Sequence, residues 1–144
     1  MCKSPPPPAP PLPPPTITTP CCPATPLPLT LNGLITAAGC PAVLGLTVQL
    51  TNVGGAVDPW NGTVNWPTVG LRTFSLRCGD IGAGNEWLMN NPTVPPNTFN
   101  LQTLSKVIVC SPFKLTFNLR MQLADLPSSC SGSAARNFTL VVTP

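Results

Sequence analysis

Phe113-Lys-Leu-Thr-Phe-Asn-Leu-Arg-Met-Gln-Leu123 carries an apolar side chain at every odd position and a polar one at every even position. Successive side chains leave a strand on opposite faces, so this period of two predicts one long strand with one face buried and the other wetted. Working outward, Leu44, Leu46, Val48 and Leu50 alternate with Gly45, Thr47, Gln49 and Thr51, and Phe138, Leu140 and Val142 alternate with Asn137, Thr139, Val141 and Thr143. Leu27, Leu29 and Leu31 predict a further strand, as do Trp60, Val64 and Trp66, then Phe74, Leu76 and Cys78; residues 86–89 and 104–110 carry weaker patterns.

Turn chemistry separates these runs: Asn32-Gly33, Ala38-Gly39, Gly54-Gly55, Asp58-Pro59, Gly79-Asp80, Gly82, Gly84, Asn91-Pro92, Pro95-Pro96 and Pro127-Ser128. About seven or eight short strands, each with one buried face, predict an all-β fold: a disulfide-stapled antiparallel β-sandwich of Ig-like or jelly-roll-like type. No segment shows the three-and-four apolar spacing of a helix. Pro26 and Pro28 confine the first strand to an edge, because a central strand must donate on both sides.

Nine of the eleven residues from 5 to 15 are proline. Proline fixes φ and lacks a backbone donor, so this leader extends as polyproline II over roughly 34 Å. The expected division is an extended arm over residues 1–20 and a β domain over 21–144. Thr16-Ile-Thr-Thr-Pro20 echoes Thr139-Leu-Val-Val-Thr-Pro144. Either the chain is one unit of a tandem array, or Thr16, Ile17, Thr18 and Thr19 form an assembly arm that adds as a strand to a neighbour's sheet; a flexible tail is the plain alternative.

Seven cysteines without a single histidine or Cys-x-x-Cys pair argue against zinc and for disulfides. The candidates are Cys21, Cys22, Cys40, Cys78, Cys110 and Cys130. Cys78 and Cys110 each end a strand, so they form the preferred pair. One of Cys21 and Cys22 is then expected on Cys40 and the other on Cys130, since adjacent half-cystines cannot readily bond one another. Cys2 is left over, suited to an intermolecular bond or a lipid anchor. No apolar signal segment and no run of 18 apolar residues is present. The expectation is an extracellular or cell-surface product whose export signal is not in this sequence.

Of 144 residues, 8% are charged, against about 25% in an ordinary soluble chain. The surface is polar through Thr, Asn, Ser and Gly, which suits packing into an assembly or a coat of glycan. Net charge +3 comes from scattered bases, with no basic run to bind nucleic acid. Without histidine, Ser-His-Asp and Cys-His catalysis are excluded. The acids are Asp58, Asp80, Glu86 and Asp125; Asp80 with Glu86 is the one near pair, and it reads as loop acids rather than a glycosidase or calcium site. No cofactor motif is present and no enzyme is expected.

Asn61-Gly-Thr63 and Asn137-Phe-Thr139 are glycosylation sequons on the polar parity of their strands, so both asparagines are expected to face solvent. Thr16, Thr18, Thr19 and Thr25 beside prolines are candidates for O-linked sugar. Trp60 and Trp66 share a face with Val64; buried they are core, exposed they would form a stacking platform for glycans.

Cys21-Cys22-Pro23, the Leu29-Thr-Leu-Asn-Gly33 opening and Cys110-Ser-Pro-Phe-Lys-Leu-Thr-Phe117 resemble a family of uncharacterised Thr- and Cys-rich β domains in large secreted bacterial proteins, over residues 21–144. The resemblance implies secretion and tandem or surface use. The function expected is a structural subunit or repeat module of an extracellular fibre, filament or cell-surface array, self-associating through its arm. The rival readings are a glycan-binding adhesion module using Trp60 and Trp66, and a virion structural protein.

Overall fold

The computed structural model describes residues 2–53, 59–81, 84–90 and 96–144, with backbone alone at 80 and 81. The turn signals at Gly54-Gly55, Gly82, Asn91-Pro92 and Pro95, and the acid Asp58, lie outside the described residues. The chain is all-β and antiparallel. β1 (Thr16–Thr19) and β2 (Cys22–Pro28) form a hairpin, while β3 (Thr30–Ala38), β4 (Thr47–Asn52), β5 (Trp60–Trp66), β6 (Gly70–Ile81), β7 (Gly84–Met89), β8 (Gln102–Cys110), β9 (Phe113–Arg120) and β10 (Asn137–Thr143) form one sheet. Among the described residues, three 3₁₀ turns of three residues each, at Pro41–Val43, Leu123–Asp125 and Ala134–Arg136, join strands.

The sheet order is β7-β6-β5-β4-β3-β10-β9-β8. Every hydrogen-bonded neighbour is also a neighbour in sequence, except where β10 returns to β3 along the Val142↔Gly33 register. The sheet is therefore an up-and-down meander curled almost into a barrel, without the Greek-key crossovers of Ig-like or jelly-roll connectivity. The opening is a seam between β7 and β8, which follow one another in the chain and run antiparallel without pairing.

Period two explains the interior. Leu115, Phe117 and Leu119 from β9, Leu140 and Val142 from β10, Leu31 and Ile35 from β3, and Trp60, Trp66, Phe74 and Leu76 from β5 and β6 all point inward and are buried. All five Phe and all three Trp are buried, and the chain has no Tyr. Trp66 meets Phe99 edge-on at 4.7 Å between ring centroids, and Phe74 and Phe138 close around the pair. Gly62 is required by close approach: a Cβ there would lie 2.2 Å from the carbonyl oxygen of Gln49, where β4 and β5 cross tightly.

Several strands differ in extent from the sequence pattern. The leucines at 27, 29 and 31 belong to two strands that break at Leu29, because β2 pairs with β1 and β3 with β4 and β10. The alternation running to Leu123 outlasts β9, since Met121 stays buried while Leu123 turns outward at 70% exposure on a 3₁₀ turn. That turn is fixed from the barrel end: Trp66 Nε1 donates to Asp125 O at 2.9 Å and Arg72 Nε pairs with Asp125 Oδ1 at 2.8 Å.

Candidate functional site

The chain's unusual chemistry gathers around the seam. Cys21 sits in the turn of the β1–β2 hairpin and Cys22 opens β2, so their side chains diverge. Cys21 bonds Cys78 on β6 and Cys22 bonds Cys110 at the end of β8, while Cys40 bonds Cys130. The six candidate cysteines are thus all bonded, in a pairing different from the one expected. Cys78 and Cys110 do not clamp each other because the seam and β7 separate β6 from β8; each meets the hairpin, which spans the opening. Cys40 and Cys130 meet because they flank β3 and β10, which are paired. Cys2 is free and exposed.

The segment expected to reach a neighbour is instead part of this fold. Thr16 and Ile17 pair with Pro28 and Leu27, and Thr19 pairs with Cys22 across a tight turn. Ile17 and Thr19 are buried against the barrel. The folded body therefore begins at Thr16 rather than at Cys21, and residues 2–15 lie outside it, exposed and unpaired to any strand. A β-prone segment two residues from its complement closes locally at far lower entropic cost than it would on another molecule.

Across the seam, Lys106 of β8 reaches β7. Its Nζ donates to the carbonyl oxygen of Trp87 at 3.1 Å and forms an ion pair with Glu86. Burial lowers the Lys106 amine below its ordinary value of 10.5; the Glu86 carboxylate, 39% exposed, is screened too well to offset that. A cleft of about 560 Å³ lies along this line, lined by Trp87, Leu88, Asn90, Leu101, Thr103 and Lys106. Trp87 packs on Trp60 and Phe113, and its indole nitrogen is buried without a partner.

Asn90, at φ 59°, holds the chain where it leaves β7. Its Oδ1 accepts from Ser75 N at 2.7 Å, and its Nδ2 donates to Thr73 O and Phe99 O at 3.3 and 3.0 Å. Thr98 then pairs in parallel with Thr73, which seats Phe99 in the core and directs the chain toward β8.

Trp60 and Trp66 are 0% and 1% exposed, so the glycan platform is overturned: the shared face is the barrel interior. Of the sequons, Asn137 is exposed at the start of β10. Asn61 is only partly exposed, because the connection folded beside Thr73 brings Pro96 and Asn97 against it in a shared cleft, and its Oδ1 is buried without a partner. Thr16 and Thr18 are exposed, Thr25 partly so, but Thr19 is buried at 3% and cannot accept sugar. Among the described residues no three His, Cys, Asp or Glu groups converge as a metal site, and no helix is long and apolar enough to cross a membrane.

Sequence reasoning missed Lys106 and Glu86 as a pair and the seam they bridge. The available signal was the broken alternation of residues 104–110. Three disulfides mark an oxidising or extracellular environment. Comparison with family models, curated proteins and solved structures returned no match to this chain.

Proposed function

We propose that the chain is a structural module of an extracellular fibre, filament or cell-surface array, with its proline-rich leader as the connector to the next copy. The observation that carries this is the seating of the leader: just behind it, adjacent Cys21 and Cys22 are bonded to strands on opposite sides of the seam. A pull on the leader peels β1 and then meets two covalent bonds, so load passes into the whole sheet instead of unzipping the hairpin. The low-charge Thr- and Asn-rich surface suits close packing of copies, and glycan on Asn137, Thr16 and Thr18 would keep it soluble. Secretion, and membership of the Thr- and Cys-rich β domains that residues 21–144 resemble, belong to the same reading.

The test is to pull single molecules between Cys2 and the C-terminus. With disulfides intact, the shortest covalent route runs from Cys22 to Cys40, across to Cys130 and on to Pro144, so the body beyond Cys22 should lengthen to roughly 110 Å and no further. After reduction the same body should yield roughly 420 Å. Equal release in both states overturns the role of the two bonds in carrying the pull. Electron microscopy of concentrated protein with and without residues 2–15 tests the connector, with polymers expected only when the leader is present.

A further inference from the structure

We propose that β8 is an interface between two copies of this chain, pairing edge to edge with β8 of a second copy. The inference is independent of the tether reading, because it needs neither the leader nor applied force.

None of the nine residues of β8 is buried, whereas each of the other strands in its sheet buries two or more residues. Its register with β9 puts Lys106, Ile108 and Cys110 on the inner side, opposite Phe117, Leu115 and Phe113, and Val107 and Val109 on the outer side, opposite Thr116 and Lys114. Even inner-side Ile108 is 38% exposed, so the strand stands off the barrel wall. Outer-side Val107 and Val109 are 61% and 42% exposed, where β4, β5 and β9 present Thr, Asn, Gln and Lys.

Long edge strands are ordinarily guarded by proline, by outward charge or by shortness. β8 has nine residues, no proline and a single charge. That charge, Lys106, is paired with Glu86 of its own molecule, and a two-fold pair centred on Ile108 sets it opposite the other copy's Cys110, so like charges do not meet. An antiparallel two-fold pair centred on Ile108 sets Ile108 against Ile108 and each Val107 against the other copy's Val109, apolar on both faces. By contrast β7 carries the charged Glu86 and already buries Trp87 and Met89 within its own molecule, which leaves it the poorer partner. The leader of another copy is poorer too, because proline offers no N–H to the carbonyls of β8. One strand pair is smaller than the interface of a stable dimer, so the expected Kd is on the order of 0.1 mM, strengthened where copies are held in an array.

The full chain with Cys2→Ser, which removes the exposed thiol, is followed by sedimentation equilibrium from micromolar to millimolar concentration. A monomer–dimer step is expected first, before any larger assembly that the leader supports. Adding Val107→Lys should weaken it on the order of tenfold with the unfolding midpoint unchanged, by placing charge at the pair. Leu71→Lys, at an exposed leucine on β6, and Leu12→Asp, in the leader, should leave it intact. A monomer at all concentrations, a dimer untouched by Val107→Lys, or a dimer lost with Leu71→Lys or Leu12→Asp would overturn the proposal; loss with Leu12→Asp would assign the contact to the leader.

Discussion

β8 and β9 are adjacent in sequence and in space, yet they obey different rules. β9 alternates without exception, with Phe113, Leu115, Phe117 and Leu119 buried and Lys114, Thr116, Asn118 and Arg120 outward. β8 carries apolar side chains on both faces from Val107 to Val109 and buries none of its residues. Alternation records a strand with one dry face, so its loss in β8 records a strand with no dry face within its own molecule. A strand that is apolar yet uncovered is incomplete by itself, and the seam is where that incompleteness sits.

The contrast can be broken most sharply in the interior. Phe117→Ala should destabilise by about 3–5 kcal/mol, the cost of a large buried aromatic plus the cavity it leaves, whereas Val107→Ala should stay within about 0.5 kcal/mol. Denaturant unfolding of both variants checks this, and comparable losses would deny that β8 lies outside the core. Next in size is the staple. Replacing Cys22 and Cys110 together by serine should cost about 2–4 kcal/mol and raise amide exchange in β8 more than in β9.

Asn90→Ala comes third. It strips the hydrogen-bond partner from the amide of Ser75 and from two carbonyls, and should cost about 1–3 kcal/mol in thermal or denaturant unfolding. The smallest effect belongs to Lys106. Its amine is lowered in the fold, so between that value and 10.5 the unfolded chain binds more protons, and stability must rise with pH across that window. Below the folded value the desolvation cost is present in full. Lys106→Met should flatten the rise, seen in unfolding midpoints taken from pH 8 to pH 11 in steps of about half a unit. An unchanged slope would place the titration elsewhere.

Legibility followed the same line. β9, β10 and β5 could be read directly, because a buried face writes its period into consecutive residues. β1 was misread because Thr16–Thr19 is β-prone whichever partner it meets, and nothing local says that Pro20 and Cys21 fold it back. The cysteines declared their oxidation by number and by the absence of histidine, but their pairing depends on which strands border the opening. Asn61 shared the outward parity of Asn137, yet the connection folded beside Thr73 walls it in.

The sequence by itself determined an all-β, oxidised body and a leader that no sheet can absorb, since period, proline content and cysteine chemistry are properties of neighbouring residues. Only the tertiary structure decided where the barrel stays open, which cysteines latch across it and that β8 stands uncovered. Those depend on how the curl of eight strands closes, and closure is settled by contacts between residues far apart in the chain.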